Sequence, residues 1–155
     1  AISAATESIS LPWLVDELTP RVPASQQSID KLESISDEKV IRDFLEGQFL
    51  NMLIHSEWMG EKISHVILTG GASANDQIAQ IIADVFESKI DRLEVSNSAA
   101  LGAAMRACQA SSKSPWEKVN SLFIKPAAEK SLSPRVYNTS GKLEQFKELL
   151  KEHIA

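Results

Sequence analysis

Ten residues, Val66-Ile67-Leu68-Thr69-Gly70-Gly71-Ala72-Ser73-Ala74-Asn75, constrain the fold more than any other part of the chain. The four residues before Gly70 are apolar or β-branched without interruption, the pattern of a strand buried on both faces of a sheet. Two glycines stop the run, and Ile78, Ile81, Ile82, Val85 and Phe86 then recur at helical spacing as one apolar stripe. The spacing predicts a strand over 65–69, a turn, and a helix over 75–87. Glycines in such a turn can take positive φ and let another molecule's atoms approach the backbone. Asn75 or Ser73 can cap the helix, whose first amides point outward and carry the positive end of the dipole. That geometry suits a phosphate. A tight strand-to-helix connection with no ligand is the other reading, and the chemistry alone leaves both standing. Two nucleotide motifs are excluded: the chain has no G-x-G-x-x-G, and no Lys-Ser or Lys-Thr follows the glycines as a P-loop needs.

A chain of 155 residues is long enough for one domain with a respectable core. Its 21 acidic residues outnumber 16 basic ones, for a formal net charge of -5, and no basic stripe offers a surface for nucleic acid or an anionic membrane. Small polar metabolites remain open as ligands. Cys108 is the single cysteine, so no internal disulfide forms, which fits a reducing compartment and makes the cytoplasm the expected location. No run approaches the roughly 18 apolar residues of a membrane span, and the N-terminus has neither a basic region nor an apolar signal core. The Asn138-Thr139-Ser140 sequon is therefore read as incidental. The chain opens on Ala1 and not on methionine, which we read as processing or a fragment.

Composition divides the chain in three. Residues 1–36 are rich in Ser, Thr, Ala and Pro, with Pro12, Pro20 and Pro23 breaking any long helix; this extended arm or linker is expected to cross a surface or lie on a missing neighbour. Residues 37–110 read as helix, strand, helix, strand, helix. Val40, Ile41, Phe44, Leu45, Phe49, Met52, Leu53 and Trp58 follow helical periodicity up to Gly60, which predicts a long, well-buried helix. His55 sits inside that pattern without a second ligand nearby and is read as a packing residue, not a metal ligand. Ile90, Leu93 and Val95 mark a second strand ending near Ser96, and Asn97 and Ser98 look like caps. In the helix that follows, Ala99, Ala100, Gly102, Ala103 and Ala104 are small, for which close helix-to-sheet packing is the preferred reason and a flat ligand the alternative. Residues 111–155 are expected to be irregular, with a short helix around 116–123, until Leu143, Phe146, Leu150 and Ile154 form an amphipathic terminal helix.

The order of elements is that of a small α/β unit with parallel strands and right-handed crossovers. Two strands make a poor sheet with an exposed edge, so further strands are expected upstream of Ala1.

Four segments, Glu46-Gly47-Gln48-Phe49-Leu50-Asn51-Met52-Leu53-Ile54-His55-Ser56-Glu57, Leu68 to Asn75, Ile82-Ala83-Asp84-Val85-Phe86 and Asn97-Ser98-Ala99-Ala100-Leu101-Gly102-Ala103-Ala104, resemble in order the C-terminal part of the FGGY carbohydrate kinases. Asp16-Glu17-Leu18-Thr19-Pro20 also resembles the acidic-(Ile/Leu)-Thr-Pro segment that precedes this region in the xylulose-kinase branch, which the chain resembles most. The likeness covers about residues 16–110 and is looser through the tail. It implies an α/β fold that is an incomplete actin-like, ribonuclease-H-like ATPase domain, the C-terminal part of the second domain of such a kinase.

By the same resemblance the complete enzyme transfers phosphate from MgATP to a sugar in the cleft between two domains, with D-xylulose as the expected pentulose substrate and D-xylulose 5-phosphate as product. The partners implied are ATP or ADP, the sugar, and the missing N-terminal portion of the same enzyme. Gly70, Gly71, Ala72 and Asn75, with Ser73 less securely, carry over as nucleotide-site residues. The family's carboxylate base and first phosphate loop are absent from this chain. Asp76, Asp84, Asp91 and Glu94 are carboxylates by type, but none matches the base, and those on helix faces are expected to be solvated. No catalytic residue and no metal ligand is therefore assigned, and the chain alone is expected to be inactive. The alternatives are another sugar kinase of the family, acting on glycerol, ribulose or gluconate, and a non-catalytic interaction module on the same scaffold.

Overall fold

The alternation of helix and strand is realised in a computed structural model, which describes residues 7–18, 21–33, 38–93, 95 and 97–154. Thr19, Pro20, Asp37, Glu94 and Ser96, on which parts of the sequence reading fall, lie outside the described residues. A short antiparallel pair, β1 (Glu17–Leu18) and β2 (Arg21–Val22), leads into α1 (Gln26–Glu33) and α2 (Glu38–Ile54). Then come β3 (His65–Leu68), α3 (Asp76–Phe86), β4 (Lys89–Arg92), α4 (Ser98–Ser112), α5 (Trp116–Phe123) and α6 (Thr139–Ile154).

Strands β3 and β4 pair in parallel, from His65 opposite Lys89 to Leu68 opposite Arg92, and α3 connects them. The side chains of Ala79, Ile81, Ala83 and Val85 on α3 are fully buried, as are Leu50 of α2, Ile90 of β4 and Phe146 of α6. Burying a side chain of the size of Ile or Leu stabilises the fold by roughly 1.5–3 kcal/mol, so this cluster dominates the apolar term. Double-sided burial of β3 is not found: Ile67 is 50% exposed, and it is Val66 and Leu68 that pack on the core. The reason is that the core lies on one face of the pair and no layer covers the other among the described residues.

The open edge expected of so narrow a sheet is half closed by the tail. Ile90 and Leu132 exchange both backbone hydrogen bonds at 2.9 Å, Leu93 bridges Pro126, and the Ala127 amide donates to the Arg92 carbonyl at 2.7 Å. The segment 126–132 thus lies antiparallel along β4. No strand pairs with the outer edge of β3 among the described residues.

Three sequence expectations need correction. The N-terminal arm does not merely cross a surface: Ile9, Leu11, Trp13 and Val22 join the main core, and Trp13 sits against Phe146 and stacks on His153 of α6. Helix α2 is not buried through its apolar stripe alone. Trp58 (83%) and Met52 (54%) are exposed, the helix ends at Ile54, and His55 lies beyond it in an exposed turn. Gly60, in the left-handed conformation, closes a separate 3₁₀ turn at Glu57–Met59. The buried face of α2 instead carries Arg42, Asp43 and Glu46. Finally, the small residues of α4 do not pack on the sheet; Gly102 faces open space, and α4 meets α5 through buried Met105 and Val119.

Buried charges on α2 persist because they are paired. Arg42 Nε donates to Glu46 at 2.5 Å, Lys142 Nζ of α6 lies 3.6 Å from the other Glu46 oxygen, and Lys31 of α1 meets Asp43 at 2.8 Å. Asp84 of α3, expected to be solvated, is buried as well. Burial opposes its ionisation, but hydrogen bonds from Arg135 and Gln80 outweigh that and hold the carboxyl below the usual range. Burial and the Glu46 carboxylate push the Tyr137 phenol up, so it stays protonated at neutral pH.

Gly47 of α2 is where the arm crosses the helix, since a Cβ there would stand 1.8 Å from the Ser10 carbonyl oxygen. Gly47→Ala is expected to destabilise the chain by about 2 kcal/mol through overpacking against backbone. Gly102→Ala, in open space on a helix, is expected to stabilise it by about 0.5–1 kcal/mol. Urea unfolding of the two variants checks the pair; equal midpoints would contradict the described crossing.

Candidate functional site

Strand β3 delivers the chain to Gly70, whose φ of 91° and ψ of -179° form a combination that essentially only glycine adopts without strain. Gly71–Ala74 then make one 3₁₀ turn. The Ser73 amide and hydroxyl both donate to the Gly70 carbonyl, at 3.2 and 2.6 Å, and the Asn75 amide donates to Ala72 at 3.1 Å. Asn75 is the N-cap of α3: its Oδ1 accepts from the amides of Gln77 and Ile78 at 2.9 and 3.1 Å. Of the two caps that the sequence allowed, Asn75 is the one used.

This cap changes where an anion would be met. The second and third amides of α3 are taken by Asn75 and do not point at a ligand. Gly71 and Ala72, which precede the first internal hydrogen bond of the 3₁₀ turn, are the donors that such an end presents. Nothing lies within 4 Å of where a Cβ would stand on Gly70 or Gly71, so no side chain of the described residues covers the turn there.

Beside the turn is a cavity of about 280 Å³ lined by Ser73, Ala74, Asp76, Arg92, Leu93, Glu129 and Lys130. The structure therefore brings the 70–75 turn together with residues of the tail, which the sequence reading kept apart. Of Gly70, Gly71, Ala72, Ser73 and Asn75, which share the turn, Ser73 alone lines this cavity, with Ala74 beside it. Asp76 is exposed but ion-paired to Arg92, while Asp84 and Asp91 are buried and paired, so none of the three stands as an unpaired carboxylate. Among the described residues no three His, Cys, Asp or Glu side chains gather so as to hold a metal ion, and no helix is long and apolar enough to cross a membrane. Arg92 went unnoticed in the sequence; its signal was a cation at the end of a strand whose neighbours Ile90 and Leu93 are apolar.

Known proteins supply an independent line. Residues 3–111 match the model of the FGGY family of carbohydrate kinases, C-terminal domain. The xylulose kinase of Rattus norvegicus is 35% identical over 99 residues, covering 60% of this chain and 18% of the relative. The chain thus spans about a fifth of the length of the curated relatives it matches. Among solved structures, the Plasmodium falciparum glycerol kinase with ADP superposes with a TM-score of 0.60 at 18% identity over 76% of this chain and 24% of that one. The Brucella ovis xyloylose kinase reaches 0.60 at 17% identity over 98% and 32%. At such identities the structural likeness speaks for the fold, which is that of part of an actin-like ATPase domain.

One residue before Arg92 on β4, Asp91 accepts from the Ser131 hydroxyl at 2.5 Å, with Lys89 at 3.2 Å and His65 Nε2 at 2.8 Å. The Ser131 bond, against the opposing effect of burial, keeps the Asp91 carboxyl below its ordinary range, with help from Lys89 and His65. A carboxyl lowered on folding contributes stability at neutral pH that is lost as pH falls through its folded value. Ser131→Ala is expected to move the Asp91 titration upward and to lessen the acid dependence of stability, read by carboxyl carbon shifts and melting between neutral and acid pH.

Proposed function

Because the chain belongs to the FGGY family of carbohydrate kinases, we propose that it forms one wall of the nucleotide site of an ATP-dependent sugar kinase, with D-xylulose as the substrate and D-xylulose 5-phosphate as the product. The observation that carries the nucleotide assignment is the uncovered turn at the end of β3, with glycines open to approach from outside and amides at its start. In this reading Gly70 sets the backbone bend, Gly71 and Ala72 meet the phosphates, Ser73 braces the turn, and Asn75 holds the start of α3 beside the nucleotide. The sugar assignment draws on the curated relatives, which are named xylulose kinases.

Phosphoryl transfer from MgATP needs positioning of the γ-phosphate and neutralisation of its charge from both sides of a cleft. The chain supplies one side. Among the described residues no cluster gathers to hold Mg²⁺, which arrives with the nucleotide as substrate. A kinase acting on glycerol or gluconate is the second reading, favoured by solved neighbours that bear those names.

Gly71 needs no positive φ, so a side chain there blocks approach without straining the fold. Gly71→Val is expected to weaken ADP binding about tenfold, or roughly 1.4 kcal/mol, with an unchanged melting temperature. Calorimetry on the complete enzyme checks it, and an unchanged affinity discards the turn as the phosphate site. A coupled ADP-release assay offering D-xylulose, glycerol and gluconate separates the sugars. The 155-residue chain alone is expected to turn over none of them, and robust phosphorylation by it would refute the one-wall reading.

A further inference from the structure

Arg92, the last residue of β4, has a side chain only 7% exposed. Its Nη1 donates to the Asp76 carboxylate at 2.6 Å and to the Ser73 carbonyl at 3.3 Å, and its Nε donates to the Lys130 carbonyl at 2.9 Å. One planar guanidinium therefore joins four pieces of backbone: the strand, the 3₁₀ turn, the first residue of α3 and the tail. The Arg92 carbonyl also accepts from the Ala127 amide, so the tail is fastened at both ends of the residue. Residues 126–132 lie beyond the segment matched by the family model, so this fastening is built from a part of the chain that the family match does not reach.

Asp76 sharpens the point, because its side chain is 81% exposed at the rim of the cavity beside the turn. An unpaired carboxylate there would repel a polyphosphate. Paired with Arg92 it does not, and the fork geometry of arginine lets one side chain neutralise the carboxylate while holding two carbonyls. A lysine presents a point charge in place of that fork and holds fewer partners at once.

We propose that Arg92 is a positioning residue for the nucleotide site: it holds the 70–75 turn in its receiving shape and neutralises Asp76 beside it, through contacts with protein atoms only. The proposal rests on the nucleotide reading above, and its test keeps the two apart. Amide hydrogen exchange by NMR on the complete enzyme, with ADP titrated as the probe, is compared for the parent protein, Arg92→Lys and Arg92→Met.

Exchange at Ser73 and Asn75, whose amides make the turn's own hydrogen bonds, is expected to rise about tenfold in Arg92→Met and less in Arg92→Lys, while Ile81 and Leu50 exchange as before. The dissociation constant for ADP is expected to rise in the same order. Should Arg92→Met fail to fold, Arg92→Lys still decides, since it retains the charge and loses only the fork. Unchanged exchange at the turn in Arg92→Lys and Arg92→Met overturns the clamp, and raised exchange with unchanged ADP affinity overturns the positioning role. A parent protein whose turn amides ignore ADP sinks the nucleotide reading and the positioning role with it, while the exchange rates still report on whether Arg92 holds the turn.

Discussion

The structure depends on one buried carboxylate, Asp84. It sits in the last turn of α3 and accepts from the Arg135 amide at 2.9 Å and the Arg135 guanidinium at 2.6 Å, with Gln80 of its own helix at 2.8 Å. Arg42 of α2 lies 3.9 Å away. An ionised group in that place is tolerable only if each of these partners is present, because removing one leaves charge uncompensated in a medium that solvates it poorly. The arrangement therefore ties α2, α3 and the tail into one register. Apolar burial supplies most of the free energy, but it is non-directional and would accept small rotations of α2 over α3 that the charge network does not.

From that register the geometry of the turn follows. With α3 fixed over the parallel pair, its N-terminus lies at the end of β3, and the two glycines must bridge strand and helix within a few residues. The tail, drawn in by Arg135 and by its pairing with Ile90, is carried past β4 to Arg92. Core and site are in this sense one construction: the residues that secure the tail to α3 also bring Lys130 and Glu129 to the cavity beside the turn. The family match covers the turn and helices within residues 3–111, and the tail segment that fastens to Arg92 lies beyond it.

The unused surfaces have a common cause. The outer edge of β3, the exposed face bearing Ile67, and the small-residue side of α4 all lie away from the single core that the chain builds. A parallel sheet is ordinarily covered on both faces, and here one face is bare among the described residues. The chain spans a minor share of its relatives' length.

Local pattern alone determined much of this. The apolar run ending at Gly70, the stripe from Ile78 to Phe86, the caps at Asn75 and Asn97, the short helix at Trp116–Phe123 and the terminal helix are visible in the sequence because strand and helix periods and cap chemistry act over a few residues. The glycine turn was legible for the same reason. What tertiary structure decided is which charges go inside and which apolar residues stay out. Asp84 reads as part of a solvated helix face until Arg135, 51 positions away, is brought beside it. Trp58 and Met52 read as core until the helix is seen to end before one and to turn the other outward. Pairing between distant charges depends on the closure of long loops around a packed core, and no local period encodes it; Arg92 and its hold on the turn belong to that second kind.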